Sequence, residues 1–374
     1  MWQGRLNSLR HSESGDGGFR FQGGFTMPAQ ALQCKECHEQ YPLEARYVCE
    51  QCFGPLEVSY DYSGLDVEAT RRKIQAGPRS IWRYQDFLPY SGKPASPLTT
   101  GTTPLIKADR LADRLGLREV YVKNDTANPT HSFKDRVVSV ALAKAIELGY
   151  RTVACASTGN LANAVAAHAS AAGVESYVFI PADLEEQKVL ATGVYGTKLV
   201  KVHGSYDDVN RLCTELSSER DWAFVNVNVR PYYSEGSKTL GYEIAEQLSF
   251  RLPDRVVAPI ASGSLFTKIA RGFEEWIEVG LIKGGTVPTF NGAQGAGCAP
   301  VAEAFDAGHD FCRPVRPAGI AKSLAIGNPA DGPYALDLAR RTGGSIDAVS
   351  DDEIRAGIRL LAETTASSRR RPAA

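Results

Sequence analysis

The residues best suited to chemistry in this chain fall into four short groups. The first is "CKECHEQYPLEARYVCEQC", which sets Cys34, Cys37, Cys49 and Cys52 in two C-x-x-C pairs separated by eleven residues. Each pair can chelate one ion from a tight knuckle, and two knuckles joined by a short hairpin make a four-thiolate tetrahedral site, with zinc the expected metal. Disulfides or a redox pair are the competing readings, but paired spacing in a reducing compartment favours the metal. The segment is too short to bury a core, so the metal would supply much of its folding free energy. Cys155, Cys213, Cys298 and Cys312 are scattered and read as packed thiols.

The second group is "HSFKDR", residues 131–136. Ser132 can cap a helix, and Phe133, Val137, Val140 and Ala141 follow at helical spacing until Gly149 stops the pattern. Lys134 then sits in the first turn, where exposed N–H groups and the macrodipole already make the end positive. A solvated surface lysine is the plain reading of the hexapeptide alone. The third group is "STGN", Ser157 to Asn160, which opens the alanine-rich helix "LANAVAAHASAAG" and presents backbone N–H groups suited to a carboxylate or phosphate. The fourth is "ASGSL", Ala261 to Leu265, where Gly263 permits close backbone approach and no Walker lysine follows. Taken singly these are ordinary turns. Together they offer an amine, phosphate donors and a polar partner for a ring oxygen, the three needs of pyridoxal 5'-phosphate (PLP).

The elements that must position these groups show in the hydrophobic pattern. "EVYVK" (119–123), "TVACA" (152–156), "SYVFI" (176–180), "KLVKV" (198–202), "AFVNV" (223–227) and "RVVAPI" (255–260) are short β-branched runs with longer helical patterns between them. Such alternation predicts an α/β fold with a mainly parallel sheet covered on both faces, and ligands beyond the C-terminal ends of its strands. The "STGN" and "ASGSL" turns lie there.

A length of 374 residues with 43% apolar content suggests two or three domains with ample core. The formal net charge of -1 offers no field to recruit nucleic acid or anionic membrane. No stretch approaches the roughly 18 uninterrupted apolar residues of a spanning helix, and residues 1–27, rich in Gly and Ser, lack the apolar region of a secretory signal. A cytoplasmic enzyme is the expected class. The only methionines are Met1 and Met27, so Met27 is a candidate start and 1–27 a disordered extension.

Five longer stretches carry a family resemblance: "NPTHSFKDR" (128–136), "ACASTGNLANAVAAHA" (154–169), "RPYYSEGSKTLGYEIAEQL" (230–248), "APIASGSLFTKIARGF" (258–273) and "IAKSLAIGNPADG" (320–332). In these, from about the cysteine knuckles to residue 363, the chain resembles the threonine synthases of the tryptophan-synthase-β-like PLP family. The resemblance implies fold type II, two mainly parallel three-layer α/β domains, here preceded by a zinc-ribbon-like segment. It implies conversion of O-phospho-L-homoserine and water to L-threonine and phosphate, the last step of threonine biosynthesis. It makes Lys134 the catalytic lysine that joins the cofactor, with Phe133 beside it, Asn160 at the ring oxygen, and Ala261, Ser262, Gly263, Ser264 and Leu265 around the cofactor phosphate. Ser157 and Thr158 would hold the substrate carboxylate, and Asn228, Arg230 and Lys238 the substrate phosphate. His131 and His168 receive no role.

The expected domains are the extension 1–27, the zinc-ribbon-like segment 28–60, a large cofactor domain from 61–150 and 206–363, a smaller α/β domain 151–205, and a basic tail 364–374. The expected partners are the small-molecule substrate and, in a homodimer, a second copy of the chain. Two departures from the family pattern stand out. Leu161 occupies a position where some relatives carry threonine, and after a helix opened by the capping box Ser350/Glu353 the chain reads "TTASSRRRPAA" where the family has a further strand and helix bearing a Ser or Thr for the pyridine nitrogen. A truncated copy with impaired activity is the expectation drawn from that ending. Other readings stay open: a threonine dehydratase or cysteate synthase sharing the cofactor cradle, or a non-catalytic relative using the cysteine segment for protein contact.

Overall fold

The two cysteine pairs lie at the connections of a small antiparallel sheet of β1 (Ala29–Cys34), β2 (Gln40–Tyr41) and β3 (Leu56–Tyr60), in the order β2-β1-β3. Its inward residues Leu32, Cys34, Leu56 and Val58 are buried. The structure, a computed structural model, describes residues 28–204 and 206–365; the extension 1–27 and all of the expected tail beyond Thr365 lie outside the described residues.

After α1 (Val67–Ala76), capped by the Asp66 carboxylate, the chain forms β4 (Leu105–Lys107), α2 (Asp109–Leu115) and β5 (Tyr121–Lys123). The "EVYVK" run was expected in a parallel sheet, but its strand pairs antiparallel with β4, Ile106 opposite Val122. The connection through α2 is long enough for either sense of pairing, so its length did not decide between them.

Helix α3 (Lys134–Glu147) leads into β6 (Thr152–Ala156), α4 (Asn160–Ala172), β7 (Glu175–Pro181), α5 (Glu186–Gly193), β8 (Lys198–Val202), α6 (Tyr206–Glu219) and β9 (Ala223–Phe224). The four strands make a parallel sheet in the order β8-β7-β6-β9. All of β6 is buried, as an inner strand covered on both faces should be. Val153 and Cys155 share a core with α3, α4 and the cysteine sheet, whereas the alternate residues Ala154 and Ala156 pack with Val209 and Cys213 of α6. This sheet corrects the expected boundary at 205. The crossover helix α6 and strand β9 complete the smaller sheet, and α3, assigned to the large domain, lies in its core.

The remainder contains α7 (Arg230–Glu235), α8 (Lys238–Gln247), β10 (Arg255–Pro259), α9 (Ser264–Glu278), β11 (Thr289–Gly295), α10 (Pro300–Asp306), α11 (Gly332–Arg341), β12 (Ile346–Val349) and α12 (Asp351–Thr365). Its sheet is parallel in the order β10-β11-β12. Phe266, Ile269, Phe273 and Trp276 form the buried stripe of α9, and Trp276 stacks on Tyr242 at 5.2 Å and on Phe250 at 5.4 Å. The capping box of α12 is present, with Ser350 N–H donating to Glu353 at 2.8 Å and Glu353 N–H to Ser350 Oγ at 3.3 Å. Among the described residues no helix is long and apolar enough to cross a membrane.

Helix α7 packs against both α3 and α9 and so joins the two halves of the site. Its end approaches α3 so closely that a Cβ on Gly236 would lie 2.5 Å from the Arg136 carbonyl oxygen and 2.6 Å from Val137 Cα. Both obstacles are backbone and cannot swing aside. Gly236→Ala is therefore expected to push α7 off α3 and cost about 1–3 kcal/mol, read as a lower urea midpoint; an unchanged midpoint would contradict this packing.

Candidate active site

Lys134 is the first residue of α3, with Phe133 at the N-cap position, and its N–H donates to Ser132 Oγ at 3.1 Å in the turn just before the helix. The loop before it is bent at His131, whose φ of 61° lies in the left-handed region. Asp135 ties that bend down. One carboxylate oxygen accepts from Thr130 N–H at 3.0 Å and Thr130 Oγ1 at 2.9 Å, and the other meets His168 Nε2 at 2.9 Å. His168, given no role from sequence, is thus the fully buried link between α3 and α4.

One residue further, Arg136 is fully buried and forks onto Asp125 and Glu243, with Nε to Asp125 and Nη1 to Glu243 each at 2.7 Å. With Asp135 and Arg136 both fixed, Lys134 Nζ donates to Tyr233 Oη at 2.7 Å. Tyr233 lies on α7, 99 residues away in sequence, and no local pattern could have flagged it. Phe133, Leu161 and Tyr233 join the same apolar cluster, and the Lys134 ammonium lies 5.4 Å from the Phe133 ring centroid and 5.3 Å from that of Tyr233.

The "STGN" turn places Ser157 in a buried position just past β6, with Gly159 N–H donating to Ser157 Oγ at 3.4 Å. Helix α4 starts at Asn160 with no side-chain cap. The "ASGSL" loop follows β10, and Gly263, at φ 101°, starts α9 without a side-chain cap either. A Cβ there would meet the Asp331 carbonyl oxygen at 2.6 Å, and Asp331 N–H donates to Ser262 O at 2.8 Å. The first N–H groups of a helix have no intrahelical partner; uncapped and lined by glycine, this start is chemically fit for a phosphate. The Lys134 amine is equally fit for an aldehyde, so the residues present suit PLP. Arg230, at the start of α7, reaches Asp331 Oδ2 at 2.9 Å and lines one cavity together with Ser264 and Thr267.

Two expected substrate contacts are corrected. Lys238 is fully buried, 2.6 Å from Glu235 and 2.9 Å from Glu275, and sits 4.0 Å from the Tyr60 ring centroid. It neutralises interior carboxylates, so its amine is engaged inside the protein. Asn228 spends its side chain on its own backbone neighbourhood, accepting from Phe224 N–H at 2.8 Å and donating to Trp222 O at 3.0 Å. That turn ends β9 after two residues where "AFVNV" suggested five.

The cysteine cluster brings all four Sγ atoms within 4.8 Å of one another, with Cys34–Cys52 and Cys37–Cys52 at 3.4 Å and Cys37–Cys49 at 3.5 Å. A tetrahedral thiolate site with bonds of about 2.3 Å needs sulfurs about 3.8 Å apart, so the donor set fits zinc. Backbone N–H groups of Glu36 and Gln51 point at Cys34 and Cys49 sulfurs at 3.4 and 3.3 Å. The other four cysteines are unpaired thiols, and burial pushes Cys213 up to about 12.

Comparison with known proteins agrees with this geometry. Residues 97–367 match the family described as pyridoxal-phosphate dependent enzyme. Solved structures of the same fold include maize serine racemase, with a TM-score of 0.58 at 20% identity over 72% of this chain and 80% of that one. The processed form of threonine deaminase isoform 2 from Solanum lycopersicum gives 0.59 at 18% over 92% and 86%. The chain belongs to the pyridoxal-phosphate dependent enzymes and has their type II fold. Threonine synthase of Methanosarcina acetivorans is 38% identical over 334 residues, 88% of this chain and 81% of that protein. The Methanocaldococcus jannaschii enzyme is 36% identical over 88% and 82%. Within the larger family, therefore, the chain belongs with the threonine synthases, and the dehydratase, cysteate synthase and non-catalytic readings are not favoured.

The buried charges that frame the site predict its acid response. Burial by itself would raise the Glu243 and Glu235 carboxyls, but Arg136 and Lys123 hold the first, and Lys238 and Lys268 the second, at about 2 against 4.5 in the open chain. Depressed carboxyls stabilise the fold fully above the unfolded value, and that stability disappears as pH falls from about 4.5 toward 2. Urea midpoints should therefore drop steeply between about pH 5 and pH 3, and Glu243→Gln should start lower and fall less. A flat profile in the parent chain would remove these ion pairs from the account.

Proposed function

We infer that the chain carries out the threonine synthase reaction, converting O-phospho-L-homoserine and water to L-threonine and phosphate. The observation that carries this reading is Lys134 at an anchored helix start, its Nζ held 2.7 Å from Tyr233 Oη. It stands in a chain 38% and 36% identical to threonine synthases over 88% of its length. Bound PLP supplies an electron sink that makes protons at Cα and Cβ of an amino-acid substrate removable.

The protein's part follows from its own atoms. Lys134 Nζ would hold the cofactor through its amine and would serve as the base and acid that moves protons at the substrate carbons. Tyr233 Oη accepts a hydrogen bond from that nitrogen and fixes its direction. The N–H groups from Ala261 to Leu265 take the cofactor phosphate, and Asn160 the ring oxygen. Phe133 and Leu161 exclude water on one side, and the Ser157–Thr158 turn takes the substrate carboxylate. Arg230 would take the substrate phosphate. A proton is lost from Cβ and phosphate leaves from Cγ, and only then does a proton return to Cγ while water gives its hydroxyl to Cβ and its other proton to a base. That second anion position separates this reaction from a dehydratase, which has no phosphate to place. Zinc in the Cys34, Cys37, Cys49 and Cys52 cluster completes the reading, and the free thiols throughout accord with a reducing, cytoplasmic setting.

Two measurements bear on this. Lys134→Ala should lower phosphate release from O-phospho-L-homoserine by at least about a hundredfold while keeping the parent thermal midpoint; undiminished release would sink the assignment. The protein should purify with one zinc per cysteine cluster, and the Cys34→Ser/Cys37→Ser variant should lose it by elemental analysis. Full zinc in that variant would locate the metal elsewhere.

A further inference from the structure

The cysteine segment touches the three helices around the active site. Glu57 on β3 meets Lys268 of α9 at 3.3 Å, and Tyr60 Oη donates to Glu235 of α7 at 2.7 Å. Tyr232 Oη of α7 donates back to Glu44 O at 2.8 Å. The contact with α11 differs in kind, because both residues that make it lie inside the first C-x-x-C pair. Lys35 Nζ sits 3.3 Å from the centroid of the Tyr334 ring, and Tyr334 Oη donates to the Glu36 carboxylate. The two residues whose backbone a metal between Cys34 and Cys37 would fix are the two that grip one tyrosine.

Tyr334 lies three residues past Asp331, in the first turn of α11. Asp331 supports the loop assigned to the cofactor phosphate: its N–H donates to Ser262 O at 2.8 Å, its carbonyl oxygen fills the space beside Gly263, and its carboxylate holds Arg230 at 2.9 Å. A continuous mechanical connection therefore runs from the sulfurs through Lys35, Glu36, Tyr334 and Asp331 to Ser262 and Gly263. Glu57 and Tyr60 belong to β3, on the far side of Cys52, so they can keep the small sheet docked when the knuckle itself is slack.

We propose that Tyr334 and Asp331 are positioning residues for the cofactor-phosphate loop, and that metal in the cysteine cluster holds them in register, so that PLP affinity depends on metal occupancy. The proposal rests on the assignment of Ala261 to Leu265 to the cofactor phosphate. The knuckle is too short to keep its shape without metal, and release of Tyr334 leaves α11 free to shift relative to Ser262.

The test is a titration of the full chain with PLP, followed by tryptophan fluorescence, with zinc content measured in every sample. Losing the cation–π contact and the charge-assisted hydrogen bond should weaken PLP binding about tenfold in Tyr334→Leu, although that variant keeps its zinc. Stripping zinc from the parent with a chelator should weaken PLP by a similar factor, and stripping Tyr334→Leu should add nothing further. Tyr334→Phe, which keeps the ring, should fall between and serves if the leucine variant does not fold. Equal PLP affinity in stripped and loaded parent protein overturns the proposal, as do effects of stripping and substitution that multiply. Gly263→Ala separates the two layers: weakened PLP binding there with no effect of zinc removes the coupling alone, whereas undiminished binding removes the loop assignment and the proposal with it.

Discussion

The interior position of the Arg136 guanidinium is the constraint from which the site is built. A buried cation is tolerable only when its donors are satisfied and its charge is met. Here Nε and Nη2 donate to Asp125, Nη1 and Nη2 to Glu243, and the two terminal nitrogens also reach Thr239 and Thr103. These partners come from the turn after β5, from α8 and from the irregular segment before β4, so one side chain gathers three distant stretches. The cost of leaving any of them unpaired inside the protein fixes the rotation of α3 about its axis. Positions 134 and 136 lie on opposite sides of a helix, and Lys134 is thereby turned away from the network and toward Tyr233.

The second buried charge system serves α7 in the same way. Glu235 accepts from Lys238, Lys268 and Tyr60, which belong to α8, α9 and β3. The six residues of α7 thus end in a carboxylate shared by three neighbours and begin with Arg230 bound to Asp331. The carboxylates of Glu235 and Asp331 hold the two ends of the helix and so decide where Tyr233 and Arg230 stand. The polar interior here fixes the positions of a few surface atoms, a role that apolar packing cannot fill because it is not directional.

Features encoded within a few residues were legible in the sequence. The cysteine pairs, the lysine at the start of α3, and the "STGN" and "ASGSL" turns are local arrangements, and the structure shows each in the element expected. Tyr233, His168 and Asp331 were not legible, because each matters through a partner far away in the chain. Lys238 and Asn228 show a different limit: the family resemblance offered them as substrate contacts, and only the fold reveals that their hydrogen bonds are already taken. The spacing of Glu235 and Lys238, i and i+3 on adjoining helical turns, did contain a hint of pairing. The "EVYVK" run carried strand propensity but no record of its partner, so its antiparallel pairing with β4 was not legible.

Helix α7 is short enough to behave as a single rod. Six residues span only about 9 Å, with Arg230 at one end, Glu235 at the other and Tyr233 between them. A rod of that length, clamped at both ends, has little freedom to bend, so a displacement at Arg230 tilts the Tyr233 hydroxyl as well. The position proposed to take the substrate phosphate and the position that meets the lysine nitrogen are therefore two points on one lever, and neither can be adjusted without the other.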